Sequence, residues 1–225
     1  GYIYLTEAMH AAIAPDKPYT VVEAIADGSL FDAAQRDGKA TPPALMYAGA
    51  LYRKYGVDQI LSAFENVKSD CELWLFGSGD CEDEIRAKAK ENPKIRYFGR
   101  VTRDEVLARE TQATLLLNIR NGQDAYTKYS FPSKMIEYML SGTPLLTTRL
   151  EGIPAAYYDY VYTVQAQDPT AIAARIDALL ADPGALHRVG QAARDFVLEN
   201  KNERCQAAHI VTFLAGECSG EGRIH

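Results

Sequence analysis

From residue 44 to residue 148 the chain alternates short, nearly continuous apolar runs with longer stretches whose apolar residues recur every three or four positions. The first pattern predicts strands buried on both faces, the second amphipathic helices. "ALMYAGA", "CELWLFGSG", "KIRYFGRV", "ATLLLNI", "PLLTT" and, further on, "YVYTV" read as strands. Between them, "VDQILSAFENV" puts Ile60, Leu61, Phe64 and Val67 on one helical face, and "CEDEIRAKAKEN" is charged and solvent-facing. "TRDEVLARETQ" opens with Thr102 as N-cap and Glu105 as its capping-box partner. The chain closes on three helical segments, "PTAIAARIDALLAD", "GALHRVGQAARDFVLEN" and "RCQAAHIVTFLAGE". Strands alternating with helices predict βαβ units and an α/β fold with a doubly wound, Rossmann-like parallel sheet followed by C-terminal helices. Ligands of such sheets sit at the carboxyl ends of the strands, which selects loops 48–56, 77–81, 98–102, 118–132 and 149–154.

The first 43 residues fit the rhythm less well. "YIYLT", "EAMHAAIA" and "PYTVVEAIA" look like strand, helix, strand, and the polar stretch after them is long for a connection inside a compact domain. Residues 1–26 are therefore expected to be the remnant of a preceding domain, 27–43 a linker, and 44–225 the main domain. The competing reading is one domain with a flexible excursion.

Composition changes this picture little. Of 225 residues 47% are hydrophobic and 24% charged, which is ordinary for a globular chain. A net charge of −6 gives no bulk electrostatic footprint for nucleic acid. Cys71, Cys81, Cys205 and Cys218 form no CxxC pair and no ligand cluster with the histidines, so reduced thiols and a cytoplasmic location are expected. No apolar run approaches the roughly 20 residues that span a bilayer. No signal peptide is visible, and a chain opening on Gly1 instead of Met reads as an excised piece.

Chemistry concentrates in "YSFPSKMIEYMLSGTPLLTT", residues 129–148. Pro132 suits the first position of a helix, Ser130 or Phe131 would cap it, and Gly142 would end it. Ile136, Met139 and Leu140 then face the sheet, while Lys134, Glu137 and Ser141 share another face. Free N–H groups, the Ser133 hydroxyl and the Lys134 ammonium would make the helix start an anion site suited to phosphate. Glu137, one turn deeper, could accept from two ribose hydroxyls. A helix whose polar residues merely meet water is the plain alternative. In "AGALYRKYG", Gly49 permits close approach and Arg53 with Lys54 could neutralise a diphosphate; a solvated basic turn explains them as well. Gly77 and Gly79 would also allow close approach, but Glu82 spoils a dinucleotide fingerprint and a tight turn accounts for them too. Asn118 and Arg120, after the most buried strand, stand where a donor group would be reached, and the rest of 118–130 looks mobile. Arg100, after the third strand, completes the candidate set. No GxSxG, HExxH or Walker loop occurs.

"MYAGALYRKYGVDQILSAF", "ELWLFGSGDCEDEI", "IRYFGRV", "EVLARETQATLLLNIR" and "YSFPSKMIEYMLSGTPLLTTRLEGIP", in that order, resemble the C-terminal donor-binding half of GT-B glycosyltransferases of family 4, group 1, over residues 44 to 215. Glu137 matches the second glutamate of the family's donor motif, which holds the donor ribose. The first glutamate, which contacts the transferred sugar, falls on Tyr129, and Pro132 replaces the motif's second glycine. The family's phosphate-binding arginine and lysine fall on Ala50 and Tyr55, with Arg53 and Lys54 as possible substitutes. The resemblance implies retaining transfer from a nucleotide diphosphate sugar, expected in its UDP form, with no metal and no cofactor. It also implies an acceptor saccharide or lipid bound mainly by an N-terminal domain, with a role in polysaccharide or glycolipid synthesis and a parent protein at most peripheral to the membrane. A nucleotide-sugar 2-epimerase of the same architecture and a non-catalytic nucleotide-binding module are the alternatives. The first would want a histidine in its cleft, whereas His10, His187, His209 and His225 fall outside the selected loops.

Overall fold

The computed structural model describes residues 1–32, 38–122, 124–165 and 168–216. Two short parallel strands, β1 (Tyr2–Tyr4) and β2 (Tyr19–Val21), are joined through helix α1 (Glu7–Ile13). Six further strands form one parallel sheet: β3 (Ala44–Ala50), β4 (Glu72–Ser78), β5 (Ile95–Gly99), β6 (Leu115–Asn118), β7 (Leu145–Thr148) and β8 (Tyr162–Val164). Their order across the sheet is β5-β4-β3-β6-β7-β8, so the winding reverses between β3 and β6. That reversal is where a doubly wound sheet opens a ligand crevice.

Helices α2 (Val57–Phe64), α3 (Glu82–Glu91), α4 (Arg103–Gln112), α5 (Lys134–Leu140), α6 (Pro169–Leu180), α7 (Pro183–Asn200) and α8 (Glu203–Leu214) complete the chain. The alternation of side chains along each strand splits the core in two. Leu45, Leu73, Leu75, Leu115 and Leu146 pack with Ile60, Ile85 and Ile176 from α2, α3 and α6. Met46, Trp74, Phe76, Leu116 and Leu145 pack on the opposite face with Leu107, Met139 and Val197 from α4, α5 and α7. Cysteines 71, 81 and 205 are free thiols. Among the described residues no helix is long and apolar enough to cross a membrane.

Thr102 caps α4 as its spacing predicts, accepting from the Glu105 amide at 3.3 Å. The segment before residue 44 is tied to the main sheet domain by polar contacts. Ala26 N donates to Lys201 O at 2.7 Å, and Thr20 Oγ1 lies 2.7 Å from His209 Nε2. Glu23 is buried, accepts from the Tyr157 hydroxyl at 2.6 Å and pairs with Lys201 at 2.6 Å. The polar stretch 27–43 is anchored on both sides of residues 33–37, which lie outside the described residues. Phe31 is buried in the core, and the Lys39 ammonium donates to Thr111 O, Ala113 O and Thr143 Oγ1.

Glu23→Ala leaves a buried phenol and an ammonium without their acceptor. It should cost about 1–3 kcal/mol of stability in urea unfolding. Amide exchange in residues 1–26 should also quicken relative to that in β3–β7.

Candidate donor site at the sheet's switch point

Strands β3 and β6 pair only through Leu45–Leu115 and Met46–Leu116. Beyond Met46 they diverge, and the backbone of Ala48 would be left buried without a partner. Tyr138 fills the gap. Its ring is buried, its hydroxyl accepts from Ala48 N at 2.8 Å and donates to Ala48 O at 3.2 Å. These two bonds clamp α5 onto the end of β3, one residue before the exposed Gly49.

The clamp decides where the α5 side chains stand. Lys134 lies with its ammonium 5.5 Å from the centre of the Tyr138 ring. It pairs with Glu137 and also with Glu110 of α4, 3.0 Å from Oε1. Burial alone would lower the Lys134 pKa; Glu110 and Glu137 overturn that and hold its proton above the ordinary lysine value. Burial pushes the Glu110 carboxyl well above its usual range, Lys134 pulls it back, and Glu137 adds to the rise.

The helix start differs from the expected one. Its first residue is Lys134, with Ser133 in the cap position and exposed, so Pro132 precedes the helix and neither Ser130 nor Phe131 caps it. Met135 N donates to Pro132 O and Ile136 N to Ser133 O, so a tightened turn consumes amides expected to be free for an anion. The helix has only seven residues. Gly142 does end it, at φ 74°, with its amide on Met139 O.

The remaining candidates divide. Arg120 reaches the crevice from the end of β6. Its guanidinium stacks 4.9 Å from the centre of the Tyr55 ring, and its Nε donates to Asn118 Oδ1 at 3.2 Å. Tyr47 of β3, pushed up to about 12 by burial, is pulled back by that guanidinium nearby. The Lys54 ammonium lies 5.0 Å from the same Tyr55 ring, and its carbonyl accepts from the Tyr126 hydroxyl. Gly56 closes the floor: its φ is 80° and a Cβ there would sit 1.8 Å from Ile119 O, so the first loop can touch the end of β6 only through a glycine.

Other candidates are engaged elsewhere. Arg53 points away to Glu84 at 2.7 Å and Asp58 at 3.5 Å. Asn118 is buried between β6 and β7, bonded to Thr147, so it can act only by aiming Arg120. Phe131 is a core residue packed against Tyr157. Gly77 and Gly79 spend their openness on the first loop, because a Cβ would meet Gly49 O at 1.8 Å or Leu51 O at 2.3 Å. Arg100 donates to Ser78 Oγ at 2.7 Å beside the edge strand β5, two strands from the crevice. Ser130 donates to Tyr126 O, inside a turn (Ala125–Tyr129) that is anchored where the sequence suggested mobility. Thr6 Oγ1 donates to Lys128 O of that turn at 2.8 Å, and Tyr129 carries the Lys128 ammonium over its ring at 5.0 Å.

The family model described as Glycosyl transferases group 1 matches residues 42–182. This chain belongs to that family. A curated glycogen synthase of Mycobacterium tuberculosis is 26% identical over 184 residues, covering 78% of the chain and 43% of that relative. The group 1 chain thus spans less than half of that relative's length. Among solved structures, a glycosyltransferase of Rickettsia africae superposes with a TM-score of 0.76 at 16% identity, over 97% of this chain and 64% of that one. Sucrose-phosphate synthase of Thermosynechococcus elongatus gives 0.76 at 19%, over 96% and 57%. Anabaena HepE, solved with UDP, gives 0.75 at 12%, over 95% and 63%. These likenesses establish the GT-B type of Rossmann-like fold.

Reasoning from sequence missed Tyr138, Glu110 and Tyr47. A tyrosine inside the apolar face of α5 was the available signal for the first. Nothing marked Glu110, which reads as one more charge on a polar helix. Tyr138→Phe keeps the ring and orphans both Ala48 groups. It should cost about 1–3 kcal/mol in urea unfolding, with the far-ultraviolet spectrum unchanged.

Proposed function

We propose that this chain binds the nucleotide-sugar donor of a glycosyltransferase, in retaining and metal-independent transfer of a hexosyl group to a saccharide or lipid acceptor. Residues 44–225 would be the donor domain, 27–43 the linker and 1–26 part of the acceptor-binding domain before it, in an enzyme of polysaccharide or glycolipid synthesis. The observation that carries the reading is the pair Lys134–Glu137, clamped by Tyr138 at the reversal of the sheet in a group 1 family member. UDP is the expected nucleotide, as it is the one bound in the HepE structure. Cytoplasmic location, with the longer protein peripheral at a membrane, belongs to the same reading.

The leaving group of such a transfer is a nucleoside diphosphate, so stabilising its developing charge is the central task. Lys134 serves from α5. Arg120 and Lys54 serve from the two loops that meet at Tyr55, the position where the family's phosphate lysine would stand. An arginine fork can engage phosphate oxygens in pairs. Glu137 accepts from the ribose hydroxyls. Tyr129, standing for the first motif glutamate, favours a second reading in which the chain binds nucleotide without turnover. The epimerase reading lacks support: His10 stacks on Tyr19, His209 meets Thr20, and His187 lies on α7.

A thermal-shift panel of UDP, GDP, ADP and their sugars tests donor binding, and turnover of a radiolabelled donor by the longer protein separates enzyme from module. No stabilisation by any nucleotide would overturn the proposal. Glu137→Ala should weaken nucleotide binding by about 1.5–3 kcal/mol in calorimetry, the range for hydrogen bonds to a charged group. Arg120→Ala and Lys134→Met should each lose more affinity for UDP than for uridine, and the excess should shrink as salt rises. Equal losses for both ligands would remove that side chain from the diphosphate.

A further inference from the structure

The carboxylate of Glu110 has no task in the donor reading. It stands in the last turn of α4 at 0% exposure, with the Lys134 ammonium 3.0 Å from Oε1. Neither carboxylate oxygen has an aligned hydrogen bond, while the residue's own carbonyl accepts from Thr143 Oγ1 at 2.7 Å. A buried carboxylate is costly to keep without a paired cation. The same ammonium also holds Glu137, whose side chain is 18% exposed. One cation therefore serves two carboxylates, one sealed in the core and one open to the crevice.

For Glu137 to turn both carboxylate oxygens to a ligand's two sugar hydroxyls, it must loosen the oxygen held by Lys134. That exchange would strand a half-buried ammonium, were Glu137 its sole anion. We infer that Glu110 is a positioning residue: it keeps Lys134 paired and in place while Glu137 turns from Lys134 to the hydroxyls of a bound nucleoside. The inference rests on the donor reading of Lys134 and Glu137. The geometry supports it independently, since Tyr138 fixes α5 and lies under the Lys134 ammonium, which stands between the two carboxylates. Burial works against the Lys134 charge, and Glu110 and Glu137 together outweigh it.

The test compares UDP with uridine. Without Glu110, uridine must take Glu137 from an ammonium that has no other anion. UDP brings its own anion to Lys134, so it is spared that cost. Glu110→Gln should therefore raise the preference for UDP over uridine by about tenfold, the size of one coupled charge pair. Affinities are read by ligand-observed NMR on the folded chain, with thermal melts recorded alongside. In a Lys134→Met background the same Glu110→Gln change should leave the preference unmoved, because Glu110 then has nothing to position. Glu110→Asp, whose carboxylate withdraws from Lys134 but keeps its charge, should shift the preference the same way and serves if Glu110→Gln does not fold. An unchanged preference, or an equal shift in the Lys134→Met background, would overturn the inference while leaving donor binding intact. Failure of the unmodified chain to bind either ligand would instead remove the donor reading, and this inference with it.

Discussion

The Tyr138 hydroxyl stands where strand β6 has already turned away. A parallel sheet that reverses its winding must let two neighbouring strands part, and parting exposes backbone groups in the driest place in the fold. Ala48 has both an N–H and a C=O to satisfy there, and one phenol can answer both because it accepts and donates. The partner comes from α5, so the solution to a backbone problem also fixes a helix. The places of Lys134 and Glu137 on α5, beside the end of β3, follow from how Ala48 is satisfied.

The cations of this edge are divided by their partners. Arg53 is committed to Glu84 and Asp58, and Arg100 to Ser78. Lys54 and Arg120 meet at the two sides of Tyr55, while the buried Asn118 steers Arg120 by its amide oxygen. A guanidinium over an aromatic ring keeps its charge and its hydrogen-bond fork available to an incoming anion. The family positions for phosphate cations are neutral here, at Ala50 and Tyr55. Positive charge stands on both sides of Tyr55 instead, from Lys54 in the first loop and Arg120 after β6. Thr6 and the turn holding Lys128 and Tyr129 add a second connection, joining the first residues of the chain to the loop between β6 and α5.

The strand–helix order, the parallel doubly wound sheet, the Thr102 cap and the end of α5 at Gly142 are all legible along the chain, because each depends on local periodicity or local backbone geometry. The family resemblance was legible for the same reason: it runs along contiguous stretches from Met46 to Pro154, the last of which holds Glu137. Pairings between distant segments were not. Glu110 and Lys134 lie in different helices, and a glutamate on a charged helix carries no mark of burial. Phe131 looked like part of a ligand loop and belongs to the core, while Gly77 and Gly79 yield to the neighbouring backbone the space they seemed to keep for a ligand. The sequence by itself determined the elements, their order and the edge at which a ligand would sit. Only the tertiary structure decided which cations face that edge, because a side chain's availability depends on which carboxylates the fold brings within reach of it.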